Sequence, residues 1–195
     1  MILNLSAYAN PHSVAVTIGS FDGLHRGHLA VLDALAKKAT DESVQSVVLT
    51  FVEPPQNYLG HKKELILPSL KKLKLLEQHA DFVVVANFME MAKMTPGDFF
   101  EEIVMKRMNA TALVVGENFR FGVDHAGDAK MLERMAKRHG IDVTVVPLVK
   151  SGGYEVSSTR IRELLRDGKH GEADELMASV HWEGHGRINK TETKG

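Results

Sequence analysis

Gly19-Ser20-Phe21-Asp22-Gly23-Leu24-His25-Arg26-Gly27-His28 follows directly on the apolar run Val14-Ala15-Val16-Thr17-Ile18, and its reading decides the fold. The run predicts a buried strand, the glycine-rich stretch a turn, and the residues from about Arg26 a helix. Gly19 and Gly23 reach backbone conformations closed to other residues and let a ligand approach the main chain. A helix start adds unpaired N–H groups and the positive end of a dipole, both suited to phosphate. His25 and His28, three residues apart, put two imidazoles on one face of that first turn. The spacing fits neither the Walker pattern nor G-x-G-x-x-G. A chance surface pair or half of a metal site is the plainer account of the histidines. A metal site, however, needs third and fourth ligands, which nothing nearby in the sequence supplies.

Further Val-rich runs lie at Val47–Phe51, Phe82–Val85, Ala112–Val115 and Val143–Val146. They are continuous rather than alternating, as expected of parallel strands covered on both faces. Helical stripes separate them: Leu29, Leu32, Leu35 and Ala39; Phe99, Ile103 and Val104; Met131, Leu132 and Met135. Thr95-Pro96 reads as an N-cap with proline at the first helical position, and Gly140 as a C-cap. Ile161, Leu164 and Leu165 mark a helix ending near Gly168, and Ala173, Leu176 and Met177 a shorter one. The alternation implies an α/β fold with a doubly wound parallel sheet and ligands at the carboxyl ends of its strands.

The chain has 195 residues, enough for one substantial core, with 24 Lys+Arg against 25 Asp+Glu and a formal net charge of −1. That balance gives no global basic field for nucleic acid. No apolar run reaches the roughly 18 residues of a membrane span, and the N-terminus lacks the basic flank of a signal peptide. The absence of cysteine excludes disulfides and thiolate metal sites. A cytoplasmic protein is the expectation, with oligomeric state left open. His181 and His185 fall in a stretch whose periodicity dissolves, and Asn189–Gly195 reads as a polar tail.

Three further stretches carry chemistry. Val156-Ser157-Ser158-Thr159-Arg160-Ile161-Arg162 opens a helix; its hydroxyls either cap it or, with the N–H groups, meet a triphosphate, with arginines one turn on. Gly116-Glu117-Asn118-Phe119-Arg120-Phe121-Gly122 follows the fourth run. It is either a loop with two buried phenylalanines or an aromatic face, an orienting amide and a phosphate-binding arginine. Thr50-Phe51-Val52-Glu53-Pro54-Pro55 is a proline-stiffened turn, or the wall of a pocket.

In this order the stretches resemble the adenylyltransferase module of bacterial FAD synthetase, usually found as a bifunctional riboflavin kinase/FMN adenylyltransferase. The resemblance covers about residues 14–188. It rests on G-x-F-D-G-x-H-x-G-H, G-x-N-F-x-F-G and S-S-T-x-I-R; Phe88, Thr95-Pro96 and Phe99 also fit. Its H-x-G-H element is one that nucleotidyltransferases share with class I aminoacyl-tRNA synthetases, which are larger and need a tRNA-sized basic surface. Two differences stand out. Glu53 replaces the first proline of the family's T-F-x-P-x-P, and no kinase barrel follows Gly184–Ile188, so residues 1–188 are expected to be an adenylyltransferase domain without riboflavin kinase activity.

The resemblance implies a Rossmann-like nucleotidyltransferase fold and the reaction FMN + ATP → FAD + pyrophosphate. It gives catalytic roles to His25, His28, Ser158 and Arg162: the histidines on the ATP phosphates, His28 at the α-phosphoryl oxygen, and Arg162 on the leaving pyrophosphate. Gly19, Phe21 and Asp22 would line the ATP site through their backbones, with Gly27 allowing close approach and Ser157 and Thr159 holding phosphates. Phe51, Pro55, Asn118 and Phe121 would form the FMN side. Mg2+ would ride on the substrate phosphates rather than in a protein cage. The alternatives are an NMN or pantetheine-phosphate adenylyltransferase, against which the aromatic loop argues, and a catalytically silent flavin- or nucleotide-binding regulator.

Overall fold

The glycine-rich turn leaves the central strand of a parallel sheet. A computed structural model describes residues 1–8, 12–58, 60 and 63–177, so His181, His185, the end of the proposed domain and the polar tail lie outside the described residues. In chain order, β1 (Ile2–Asn4) and β2 (Val14–Ile18) precede α1 (Arg26–Glu42). β3 (Gln45–Phe51) leads to the one-turn α2 (Pro55–Tyr58) and to α3 (Ser69–Leu76). β4 (Phe82–Ala86) leads to α4 (Phe88–Met91) and α5 (Pro96–Asp98), which continues as a π-type helix over Phe99–Arg107. After β5 (Ala110–Gly116) come a small hairpin, β6 (Arg120–Phe121) with β7 (Gly127–Asp128), then α6 (Ala129–Arg138) and β8 (Asp142–Val146). A second hairpin, β9 (Lys150–Ser151) with β10 (Tyr154–Glu155), intervenes before α7 (Ser158–Arg166) and α8 (His170–Leu176).

Six strands pair in parallel in the order β1-β4-β3-β2-β5-β8. From β2 the chain winds one way through β3 to β4 and the other way through β5 to β8, the doubly wound arrangement expected. The winding reverses between β2 and β5, where their carboxyl ends part and leave a crevice.

Successive strand residues point to opposite faces, so a sheet covered on both sides needs apolar residues at every position. Val14, Val16, Leu49, Leu113 and Val115 pack with Phe100, Ile103 and Val104 of the π-type helix and Leu132 of α6. Ala15, Val48, Val83 and Val114 face Leu32 and Leu35 of α1 and Leu73 and Leu76 of α3. Each such Val or Leu contributes about 1.5–3 kcal/mol on burial. A smaller cluster joins Ile161, Leu164 and Leu176 of the last two helices to Ile66 and Val156.

The helix ends follow their sequence signals. Thr95 and Asp98 form a reciprocal capping box with Pro96 inside it, and Gly140 and Gly168, each just past a helix end, take φ of +69° and +73°. The edge strand β1 and both hairpins carry no apolar run, which is why the periodicity passes over them.

Candidate active site

The turn after β2 is held in shape by its own side chains. Phe21 (φ +49°), Gly23 (+84°) and Leu24 (+37°) are all left-handed. Two of them carry a Cβ, at a cost of about 1–2 kcal/mol each. Burial of the Phe21 and Leu24 side chains offsets that strain. Gly19 lies under the Phe21 ring, where a Cβ would sit 3.1 Å from the nearest ring carbon.

Asp22 faces inward. Its carboxylate accepts the Ile66 N–H at 3.2 Å and forms an ion pair with Arg162 of α7, and its carbonyl accepts the Ser158 hydroxyl at 2.8 Å. The turn is thereby fastened to the loop before α3 and to the start of α7. Arg162 also donates through Nε to the Glu64 carbonyl at 2.9 Å. Its neighbour Arg160 stacks over Tyr154 and donates to the Ser151 carbonyl at 3.2 Å. Both arginines are thus occupied within the protein.

At the start of α1, His25 is the N-cap: its Nδ1 accepts the His28 N–H at 3.3 Å, which leaves the ring proton on Nε2. The two imidazoles stack at 3.6 Å with an interplanar angle of 15°, and the Phe21 ring lies 5.2 Å from His28. Gly27 makes room for this stack, since a Cβ there would come within 3.1 Å of the His25 ring. Burial pushes the His25 pKa down to about 4. Burial, then the charges of His25 and Lys72, push His28 down as well. Both rings are therefore neutral donors at neutral pH. His28 Nδ1 is buried and has no hydrogen-bond partner among the described residues.

The opposite wall is aromatic. Phe119 and Phe121 stack at 5.6 Å, Phe121 lies 5.3 Å from Phe99, and Phe51 meets Phe88 edge-on at 5.6 Å. Phe121 is buried and covers Gly127, where a Cβ would fall 2.6 Å from its ring, so this phenylalanine is core and wall at once. Glu53, at the family's proline position, accepts from Asn57 at 3.1 Å and closes the short α2.

These parts surround one cleft of about 590 Å³. Every predicted site residue lines it except Asp22 and Arg162: Gly19, Phe21, His25, Gly27, His28, Phe51, Pro55, Asn118, Phe121, Ser157, Ser158 and Thr159 do. For Asp22 and Arg162 the placement differs from expectation because each satisfies the other's charge behind the turn. Ser157 is also engaged, as the N-cap accepting the Arg160 N–H at 3.3 Å. The starts of α1 and α7 both reach the cleft, and neither has an acidic residue in its first turn. Their dipoles are left for an anion. Among the described residues no group of three His, Asp or Glu side chains converges as a metal site.

The sequence reading passed over Asp124 and His125, which line the cleft with left-handed φ of +54° and +56°. It also passed over Lys72, buried in α3. No local pattern marks the loop pair, whereas Lys72 leaves a trace as an inversion of polarity. Leu70 is 76% exposed while Lys72, two residues on, is 1% exposed.

A family model described as FAD synthetase matches residues 7–160. A bifunctional riboflavin kinase/FMN adenylyltransferase of Escherichia coli strain K12 is 32% identical over 180 residues, covering 90% of this chain and 57% of its own length. The chain thus spans little more than half of that relative. An FAD synthetase of Listeria monocytogenes is 29% identical, covering 90% of this chain and 72% of its own. A putative bifunctional riboflavin kinase/FMN adenylyltransferase of Geobacillus thermodenitrificans is 33% identical, covering 86% and 90%. Among solved structures, one described as a macrolide-efflux protein from Streptococcus pneumoniae shares the fold with a TM-score of 0.79 at 27% identity, over 90% of this chain and 61% of that one. No helix of the described residues is long and apolar enough to cross a membrane.

Proposed function

The chain belongs to the FAD synthetase family, and from that premise we propose that it transfers the adenylyl group of ATP to FMN, forming FAD and releasing pyrophosphate. The observation that carries the reading is the division of one cleft into two halves. Two helix starts and a pair of neutral imidazoles stand on one side, and a wall of phenylalanines on the other.

The phosphate of FMN attacks the α-phosphorus of ATP in line and the bond to pyrophosphate breaks. No side chain forms a covalent intermediate, so the protein acts by positioning and by stabilising charge. The half-buried His28, whose Nδ1 has no partner among the described residues, takes the α-phosphoryl oxygen, and His25 supports it through their stacked rings. The N–H groups opening α7, with Ser157, Ser158 and Thr159, receive the β- and γ-phosphates. Arg162 reaches the leaving pyrophosphate only by releasing Asp22. Phe51, Pro55, Asn118 and Phe121 bound the flavin. Mg2+ arrives on ATP as part of the substrate. The reading keeps the expected cytoplasmic location and needs no nucleic-acid partner.

The test is incubation with Mg-ATP labelled at the α-phosphate, together with FMN. Label appearing in FAD with one pyrophosphate released per FAD supports the reaction. Hydrolysis of ATP without labelled FAD overturns it.

A further inference from the structure

Lys72 is the one buried lysine among the described residues, and its three N–H donors all go to backbone carbonyls: Phe51 at 2.6 Å, Ser20 at 3.0 Å and Val52 at 3.3 Å. No carboxylate is among these partners. A buried cation held only by neutral carbonyls is costly compared with an apolar residue of similar volume, so packing alone does not explain it.

The three carbonyls are not equivalent in origin. Ser20 belongs to the turn that delivers His25 and His28; Phe51 ends β3, and Val52 begins the loop that leads to Pro55. The last ladder bond between these strands runs from the Gly19 N–H to the Leu49 carbonyl at 3.0 Å. Beyond it the Thr50 hydroxyl still donates to the Ser20 carbonyl at 3.4 Å, after which the two chains part, Ser20 and Phe51 both lining the cleft. Lys72 spans that gap, and Ser69 in the first turn of α3 adds a hydroxyl to the Val52 carbonyl at 2.9 Å.

We infer that Lys72 is a positioning residue for the transfer step, its ammonium fixing the phosphate turn against the acceptor loop so that the two substrates meet in register. The inference rests on the adenylyl-transfer reading. A lysine suits the task because an ammonium has three donors and no lone pair; a neutral amine has two donors and turns a lone pair towards an oxygen. The clamp therefore works only when charged. Burial lowers the Lys72 pKa to about 8, against the opposing pull of Asp22. Around it, Asp22 on the turn is paired with Arg162 of α7, His28 of α1 is neutral, and Glu53 of the following loop is taken up by Asn57. None of these replaces the ammonium as a donor to the three carbonyls.

The chain contains no cysteine, so Lys72→Cys can be aminoethylated with 2-bromoethylamine in denaturant and refolded, with the unmodified chain refolded beside it. This restores a lysine analogue at that position alone. The expected result is a kcat lowered by ~10²-fold in Lys72→Met and in unalkylated Lys72→Cys, with both KM values within about threefold, as for loss of alignment. Aminoethylation should return most of kcat. In the unmodified chain kcat should fall as pH rises through about 8. That limb should move to lower pH in the aminoethylated protein, whose sulfur makes the amine less basic.

A Lys72→Met protein with kcat unchanged overturns the inference, as does an aminoethylated protein that melts like the parent yet gains no activity. If the unmodified chain makes no FAD at all, the reading of the reaction fails instead. The clamp is then judged by amide exchange at Gly19–Ser20 and Phe51–Val52. Exchange at least tenfold faster in Lys72→Met sustains it, and unchanged exchange removes it.

Discussion

The two halves of the cleft are built from different materials. The phosphate half is mainly backbone: a left-handed turn, the first N–H groups of α1 and α7, and two histidines stacked at a helix start. The aromatic half is mainly side chain, with Phe51 on Phe88 and Phe119 on Phe121 on Phe99. A backbone site fails when its frame shifts, whereas a side-chain wall fails when volume is removed. Mutations on the two sides should therefore differ in kind as well as in size.

The largest stability effect belongs to the aromatic half. Phe121→Ala removes a ring that covers Gly127 and touches Phe99, and should lower the unfolding free energy by about 3–5 kcal/mol, as for other buried phenylalanines. Both ligands should weaken with it. Denaturant titration beside calorimetry with each ligand checks this; a variant as stable as the parent that loses FMN alone would make Phe121 a ligand wall and nothing more.

On the phosphate half the expected loss is kinetic. His28→Ala should cut turnover by on the order of 10²–10³-fold, the scale for one lost transition-state donor, with FMN affinity kept within a few-fold. Unchanged turnover would reduce the stacked histidines to a helix cap.

Acid should reach the same half through His25. Its pKa is about 4 in the folded chain against 6.5 for an ordinary histidine, so the unfolded chain takes up its proton first as pH falls. The stabilising contribution is whole above about 6.5 and is lost as pH drops towards 4, by about 3 kcal/mol in all. Melting curves across that range should show a smaller loss in His25→Asn than in the parent, the remainder belonging to His28, whose pKa burial also lowers. An identical acid dependence in the two proteins would place the titrating group elsewhere.

The smallest effect sharpens the contrast. Phe119 is more exposed than Phe121 and lines the same wall. Phe119→Ala should cost FMN about 0.5–1.5 kcal/mol of binding beyond lost area while leaving ATP binding and melting nearly unchanged. Equal weakening of both ligands, measured calorimetrically, would blur the division.

What could be read in advance divides along similar lines. The central strands, the start of α1, the Thr95 capping box and the aromatic loop are local: neighbouring residues specify each, so a short window carries the signal. Arg162 and Asp22 lie 140 residues apart and pair only because α7 folds back over the turn. The resemblance puts Asp22 at the ATP site through its backbone and Arg162 on the pyrophosphate; the ion pair between their side chains has no trace in any short window. Lys72 was missed for a related reason. Its burial depends on three carbonyls from the turn after β2, the end of β3 and the loop beyond it, which the helical pattern of α3 does not contain. The β1 edge and the two hairpins have too few residues, and too little burial, to leave a period.

The central claim is that the aromatic half selects a flavin for the phosphates held by the other half. Its most direct test offers FMN and NMN together, at equal concentration with limiting Mg-ATP, and measures the two adenylylated products. FAD should dominate by at least tenfold, and the preference should shrink in Phe119→Ala but not in His28→Ala. An excess of the NMN product, or a preference that Phe119→Ala leaves untouched, would contradict the account.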